Sequence, residues 1–138
     1  MSHVILSLMF ASASGEFNLP TGLLDSLCFI ESSHNIKAIH KDDGGSNSVG
    51  ICQLKYKTAK WLGFKGTEKD LMDPQTNIYF SAKYLHYQIS RYNDVERAVV
   101  AYNIGNAKGL ANTAYSDKVF KQWRQTSNVR SKFTCSKE

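Results

Sequence analysis

No run of about 18 apolar residues occurs in this chain, so an ordinary membrane-spanning helix is excluded. Cysteine is scarce and odd in number: Cys28, Cys52 and Cys135 are the only three. None stands in a C-x-x-C pair or at a Cys/His spacing that would suggest zinc. His3, His34, His40 and His86 also lack ligand spacing, so no metal is expected. There is no Lys/Arg-rich block, no RNA-binding signature, no internal repeat, no linker and no low-complexity segment. What remains is a chain of 138 residues, 42% hydrophobic and 21% charged. That composition is ordinary for a globular protein, and the length suits one domain with a hydrophobic core.

The formal net charge is +5, a balance that suits an anionic polymer such as nucleic acid, an anionic lipid surface or a cell wall. The positive charge is dispersed. One loose cluster holds Lys55, Lys57, Lys60, Lys65 and Lys69, and another Lys118, Lys121, Arg124, Arg130 and Lys132. Dispersal argues against a nucleic-acid-binding helical domain. Cys28 falls on an apolar helix stripe and Cys52 inside an apolar run, and Cys135 lies in a polar, exposed tail. The expectation is free thiols in a chain made in a reducing compartment. A Cys28–Cys52 disulfide is not deducible from sequence alone.

Residues 1–18 form an N-terminal segment with two readings. Val4–Phe10 followed by Ala11, Ser12 and Ala13 resembles a weak signal peptide, but no Lys or Arg precedes the apolar run. The other reading is a helix or strand packed on the core. A helix is expected from Pro20 to Ser33, with Gly22 in its interior. Asp42–Ser48 is a turn-forming cluster between Ile39 and Val49–Leu54, which reads as a small hairpin or ordered loop. A short helix over Lys57–Leu62 closes at Gly63, and Gly63–Leu71 reads as a loop. Asp73 and Pro74 start a helix in which Ile78, Ala82, Leu85, Ile89 and Tyr92 recur at i, i+4, i+7, i+11 and i+14. Asp94 caps the next helix, with Val95, Ala98, Val99 and Tyr102 on one face, ending near Gly105. A last helix spans Thr113–Gln125, and residues 126–138 form a frayed polar tail. The fold class is mainly α, with one small β or loop element beside the site.

Glu31 is the residue with the sharpest chemical reading. Leu24, Leu27 or Cys28, and Glu31 fall at helical spacing, so a carboxyl group sits on the apolar stripe near a helix C-terminus. Desolvation there raises a carboxyl pKa, as a general acid near neutral pH requires. Asp42 and Asp43 are the other acids near a motif-bearing loop, and their turn composition favours a structural role.

Four segments extend this reading. They are Glu31 with Ser32, Ser48–Gln53 with its Gly-x-x-Gln turn, Ala101–Gly105 with Ala-Tyr-Asn-x-Gly, and Tyr115–Val119 with Tyr-x-x-Lys-Val. In order and spacing they resemble the soluble lytic transglycosylases, which share a fold with goose-type lysozymes. The likeness runs from about Leu19 to about Trp123. It implies a lysozyme-like (α+β) domain and cleavage of the β-1,4 linkage between N-acetylmuramic acid and N-acetylglucosamine, with formation of a 1,6-anhydro end. It implies Glu31 as catalytic residue and Ser48, Gln53, Tyr102, Asn103 and Tyr115 as substrate-binding residues. No cofactor is implied. Gln53 offers both donor and acceptor to sugar hydroxyl and acetamido groups. Tyr102 offers a flat face and a hydroxyl to a sugar or to the carboxyl, although it also fits the core stripe of its helix. Tyr115 would close the cleft from the far side, and Lys118 reads as a surface charge. Where the family often has Leu-Met inside the Gly-x-x-Gln turn, this chain has Ile51 and Cys52, both apolar.

The expected partner is peptidoglycan glycan strands, met as a monomer in a periplasm or host periplasm, without nucleic acid or stable membrane insertion. Small size and the absence of a wall-anchoring module point to a phage endolysin-like member of the family, and next to a bacterial wall-remodelling or secretion-associated enzyme. The nearest alternative is a hydrolytic goose-type muramidase, in which Asp42 or Asp43 would hold a water. A non-catalytic glycan-binding module is a further one, against which Glu31, Gln53 and Tyr102 together argue.

Overall fold

The computed structural model describes residues 2–41 and 45–135, with side chains as far as residue 127. Asp42, Asp43 and Gly44 lie outside the described residues, as does the Cys135 side chain. Seven helices and three short strands are described: α1 His3–Glu16, α2 Leu23–Ser32, β1 Ile39–His40, β2 Ser48–Val49, β3 Leu54–Lys55, α3 Tyr56–Trp61, α4 Glu68–Leu71, α5 Pro74–Tyr92, α6 Val95–Ile104 and α7 Ala114–Cys135. The architecture is mainly α with a small antiparallel sheet, the lysozyme-like arrangement expected. No helix among the described residues is long and apolar enough to cross a membrane.

The N-terminal apolar run is part of a packed helix. The Ser2 hydroxyl accepts from Ile5 N at 3.2 Å, which satisfies one of the free first-turn donors of α1. Leu6, Phe10 and Ala13 are buried, and the helix packs on α5 and α2. The helix carrying Glu31 starts later than expected. Gly22 is not interior to it but is its N-terminal flanking residue, at φ +82°, a left-handed conformation that glycine adopts without a Cβ clash. Leu23, Leu24, Leu27 and Cys28 are fully buried, and α2 packs mainly against α7. It ends where Ser33 and His34 both turn left-handed, at φ 54° and 63°.

The turn cluster yields the expected small β element. Its order is β1-β2-β3, antiparallel throughout, with Ile39 opposite Val49 and Ser48 opposite Lys55. The segment expected to be a loop before Leu71 holds a short helix instead. Thr67 and Asp70 form a reciprocal capping box that starts α4. Asp73 and Pro74 start α5 as expected, the Asp73 carboxylate accepting from Thr76 N at 3.0 Å. Asp94 caps α6 and Gly105, at φ +93°, ends it. The last helix continues past Gln125 to Cys135, so the expected frayed tail is helical backbone as far as that residue.

The main core joins α1, α2, α5, α6 and α7 through Leu23, Leu24, Leu27, Ile78, Leu85 and Val99 among others. Each such buried side chain contributes about 1.5–3 kcal/mol. A smaller cluster of Val49, Leu54, Ala59 and Leu71 lies under the sheet. Asn77 on α5, fully buried, links the two. Its carbonyl oxygen accepts from Cys52 N at 2.9 Å, and its amide donates to Val49 O at 2.9 Å and Leu71 O at 3.0 Å.

The expectation of free thiols is overturned for one pair. Cys28 and Cys52 are joined by a disulfide, their Cα atoms 4.3 Å apart. Packing of the β2–β3 turn against α2 brings the two within bonding reach. The crosslink lies one helical turn before Glu31 and one residue before Gln53.

Candidate active site

A cleft of about 320 Å³ opens where the C-terminal end of α2, the sheet and the end of α6 meet. Glu31, Ser48, Gln53, Tyr102 and Asn103 all line it. Tyr115 does not. Lys55 and Lys57 of the loose basic cluster, with Thr58 and Tyr84, which the sequence did not single out, form other parts of the wall. A second groove of about 480 Å³ runs along α1 and the approach to α2, and holds none of these site residues.

Glu31 reaches the cleft from the last turn of α2. Burial among apolar neighbours lifts its carboxyl from 4.5 to about 7, against the opposing pull of a hydrogen bond from Tyr115. Desolvation is the larger effect, so the group is protonated below about pH 7. Tyr115 stands on the first turn of α7, and its hydroxyl donates to Glu31 Oε2 at 2.6 Å. Burial and the neighbouring carboxylate push the Tyr115 phenol well above its usual range, so it remains a donor. Tyr115 therefore holds the carboxyl rather than closing the cleft from the far side.

Tyr102 also departs from expectation. It is among the residues lining the cleft, but its hydroxyl donates to Cys52 O at 2.9 Å. A buried phenol must find a partner, and the carbonyl of the β2–β3 turn supplies it. The hydroxyl is thereby committed to the protein, and the side chain, only 6% exposed, packs in the main core, as its place on the helix stripe also allowed.

The Gly50–Gln53 turn is held from several sides. Ser32 Oγ donates to Ile51 O at 2.6 Å, joining the residue after Glu31 to the turn. Gly50 sits at φ +82°, and a Cβ there would lie 2.4 Å from Asn77 Nδ2, so backbone conformation and space both require glycine. Gln53 is left-handed at φ 51°, and its Nε2 donates to Ala38 O and Gly50 O, each at 3.0 Å. Both amide protons are used within the protein, which leaves Oε1 to accept from a ligand. Ser48 is half-buried on β2, and Asn103 is exposed near the end of α6. Lys118 is exposed, as a surface charge should be.

Sequence reasoning missed Asn77, Tyr84 and the bridging role of Ser32. Asn77 left one faint signal: with Ser81 and Gln88 it makes a polar line beside the Ile78–Leu85 stripe, and all three are buried. Among the described residues lining the cleft, Glu31 is the only carboxylate. The arrangement can give a proton to a bound group and take one back, with donors and acceptors placed for a polar, hydroxyl-rich ligand.

Comparison with known proteins gives a consistent picture. A family model described as the transglycosylase SLT domain matches residues 8–124. A protein named transglycosylase from Enterobacteria phage PRD1 is 34% identical over 113 residues, covering 80% of this chain and 40% of that one. Protein IpgF of Shigella flexneri is 26% identical over 115 residues, covering 80% of this chain and 76% of its own length. Its counterpart in Shigella sonnei is likewise 26% identical. The chain spans less than half the length of the phage relative. No solved structure gives a significant match.

Proposed function

The chain belongs to the transglycosylase SLT domain family, and from that premise we propose that it is a peptidoglycan lytic transglycosylase in which Glu31 does the proton chemistry alone. The observation that carries this reading is the Glu31 carboxyl itself. It lines the cleft, is lifted to about 7 by burial and accepts a hydrogen bond from Tyr115.

The reaction follows from that group. Protonated Glu31 gives its proton to the oxygen linking N-acetylmuramic acid to N-acetylglucosamine. The bond from the muramoyl C1 to that oxygen breaks, and positive charge develops at C1. Glu31, now a carboxylate, takes the proton from the muramoyl 6-hydroxyl as O6 bonds to C1. The product is a 1,6-anhydro ring, Glu31 ends protonated, and no water is consumed. Tyr115 fixes the carboxyl in both steps, since its hydroxyl donates to the oxygen that carries charge between them. Gln53 Oε1, Ser48, Asn103 and the Tyr102 ring bind the sugars. Lys55 and Lys57 on the cleft wall suit the carboxylates that muramoyl residues and their stem peptides carry.

The protein then acts on the cell wall as a monomer of the phage endolysin type, with glycan strands as its partner. The test is mass spectrometry of the muropeptides released from intact peptidoglycan. Anhydro ends support the reading, and reducing muramoyl ends assign the protein to the hydrolases instead, with Asp42 or Asp43 as the water-holding acid.

A further inference from the structure

Two neighbouring helices each carry a residue of the cleft wall and, one turn further on, an exposed aromatic ring. On α3, Thr58 lines the cleft and Trp61 follows at i+3. On α5, Tyr84 lines the cleft and Tyr87 follows at i+3. Residues so spaced share a helix face. The outer two meet, with the Trp61 and Tyr87 rings 4.9 Å apart and edge to face. Inward, Tyr84 stacks near-parallel to Tyr87 at 6.4 Å and lies 5.2 Å from Tyr102. A continuous aromatic path thus runs from the cleft wall beside Glu31 to the surface. At its outer end Trp61 is 63% exposed and Tyr87 37%. Both rings lie one helical turn from cleft-lining residues, and exposed apolar surface grouped beside a groove is a mark of a binding site.

We propose that Trp61 and Tyr87, continuous with Tyr84, form an outer subsite that takes a sugar ring of the glycan strand beyond those held in the cleft. A pyranose ring presents apolar C–H faces that stack on an aromatic ring, while its hydroxyls stay in water. Continuity with the cleft selects the occupant: a strand lying in the cleft along this wall runs onto Trp61. The Lys57 ammonium, on the same face of α3, suits an acidic group carried on that strand. Lys83 Nζ donates to Leu62 O at 2.8 Å and ties α5 to the residue after Trp61, so the two rings are held on a fixed frame. This inference rests on the glycan-cleaving reading above.

The experiment uses Glu31→Gln, which binds without turnover, and adds N-acetylglucosamine oligomers of three and six rings. Trp61 is one of two tryptophans, and the other, Trp123, donates its indole proton to Thr21 O at 2.8 Å, away from the cleft residues. Trp123 therefore emits as a constant background, and the change in emission on adding an oligomer reports on Trp61, with affinities of all variants measured by calorimetry. The hexamer should shift the emission to the blue and the trimer should not. Adding Trp61→Ala should abolish the shift and weaken hexamer binding on the order of tenfold, as about 1.4 kcal/mol of lost stacking would. Trimer affinity should be unchanged, and Trp61→Phe should restore most of the hexamer affinity. Hexamer binding with unshifted emission, and with equal affinity after Trp61→Ala, would overturn the subsite while leaving the cleft reading intact. Absence of binding by either oligomer would overturn both.

Discussion

Tyr115 donates its hydroxyl to Glu31 Oε2 at 2.6 Å, across 84 residues of sequence. The bond favours the charged carboxylate, while burial favours the neutral acid, and burial prevails. The balance matters because a group that must both give and take a proton works best with its pKa near the working pH.

Removing Tyr115's contribution therefore has a signed consequence. Tyr115→Phe deletes the donor and keeps the ring, so the Glu31 carboxyl should rise further above about 7. The alkaline limb of the activity profile should move to higher pH, and turnover should fall because the carboxylate loses its support. Activity measured from pH 5 to 9 checks it. An unmoved limb would mean that Tyr115 only packs.

Glu31→Gln should lower activity on the order of 10²–10⁴-fold, the usual range for a general acid–base group. It should also change the dependence of stability on pH. The folded-state pKa of about 7 lies above the unshifted value of 4.5, so the native state holds a proton that the unfolded chain releases. That stabilising difference is complete below about pH 4.5 and is lost as pH rises through 7. At about 1.4 kcal/mol per unit the loss is about 3 kcal/mol. Glutamine does not titrate, so the variant should match wild type near pH 4 and exceed it by up to about 3 kcal/mol at pH 8. Denaturant unfolding at the two pH values reads this directly.

Asn77→Ala should damage the site from beneath without touching the cleft. It leaves Cys52 N, Val49 O and Leu71 O buried without their partner, and the cost of one unmet group is about 1–3 kcal/mol. A loss of at least about 3 kcal/mol is expected, with lower turnover because the Gln53 turn is released. Gly50→Ala should be destabilising by a comparable amount, since it strains a φ of +82° and presses on the same side chain.

Reduction of the Cys28–Cys52 crosslink should cost about 3 kcal/mol, the usual value for a loop of this size. Unfolding with and without dithiothreitol measures it. The same midpoint in both would show that the crosslink constrains little.

The helices were legible where a local signal decides them. Asp73 with Pro74, Asp94 and the Ile78–Leu85 stripe each fix an end or a face through neighbouring residues. Glu31 was legible because a carboxyl on an apolar stripe has one consistent consequence. Contacts between distant segments were not. Nothing near Tyr115 says that its hydroxyl meets Glu31, and nothing near Tyr102 says that its own meets Cys52. The disulfide depends on how the turn packs against α2, which Cys28 and Cys52 do not announce. α4 went unread because its box uses Asp70 where Glu or Gln is the usual sign. Propensity alone does not tell an interior glycine from one at a left-handed boundary, so Gly22 carries no local mark of where α2 begins.

The most direct test of the account is the chemical form of the muropeptides that the purified protein releases from intact peptidoglycan. A single carboxyl acting as acid and then as base predicts 1,6-anhydro muramoyl ends, one water lighter than hydrolytic ends, with most activity kept in Asp42→Asn and Asp43→Asn. Reducing muramoyl ends as the main product, lost when either aspartate is replaced, would contradict it.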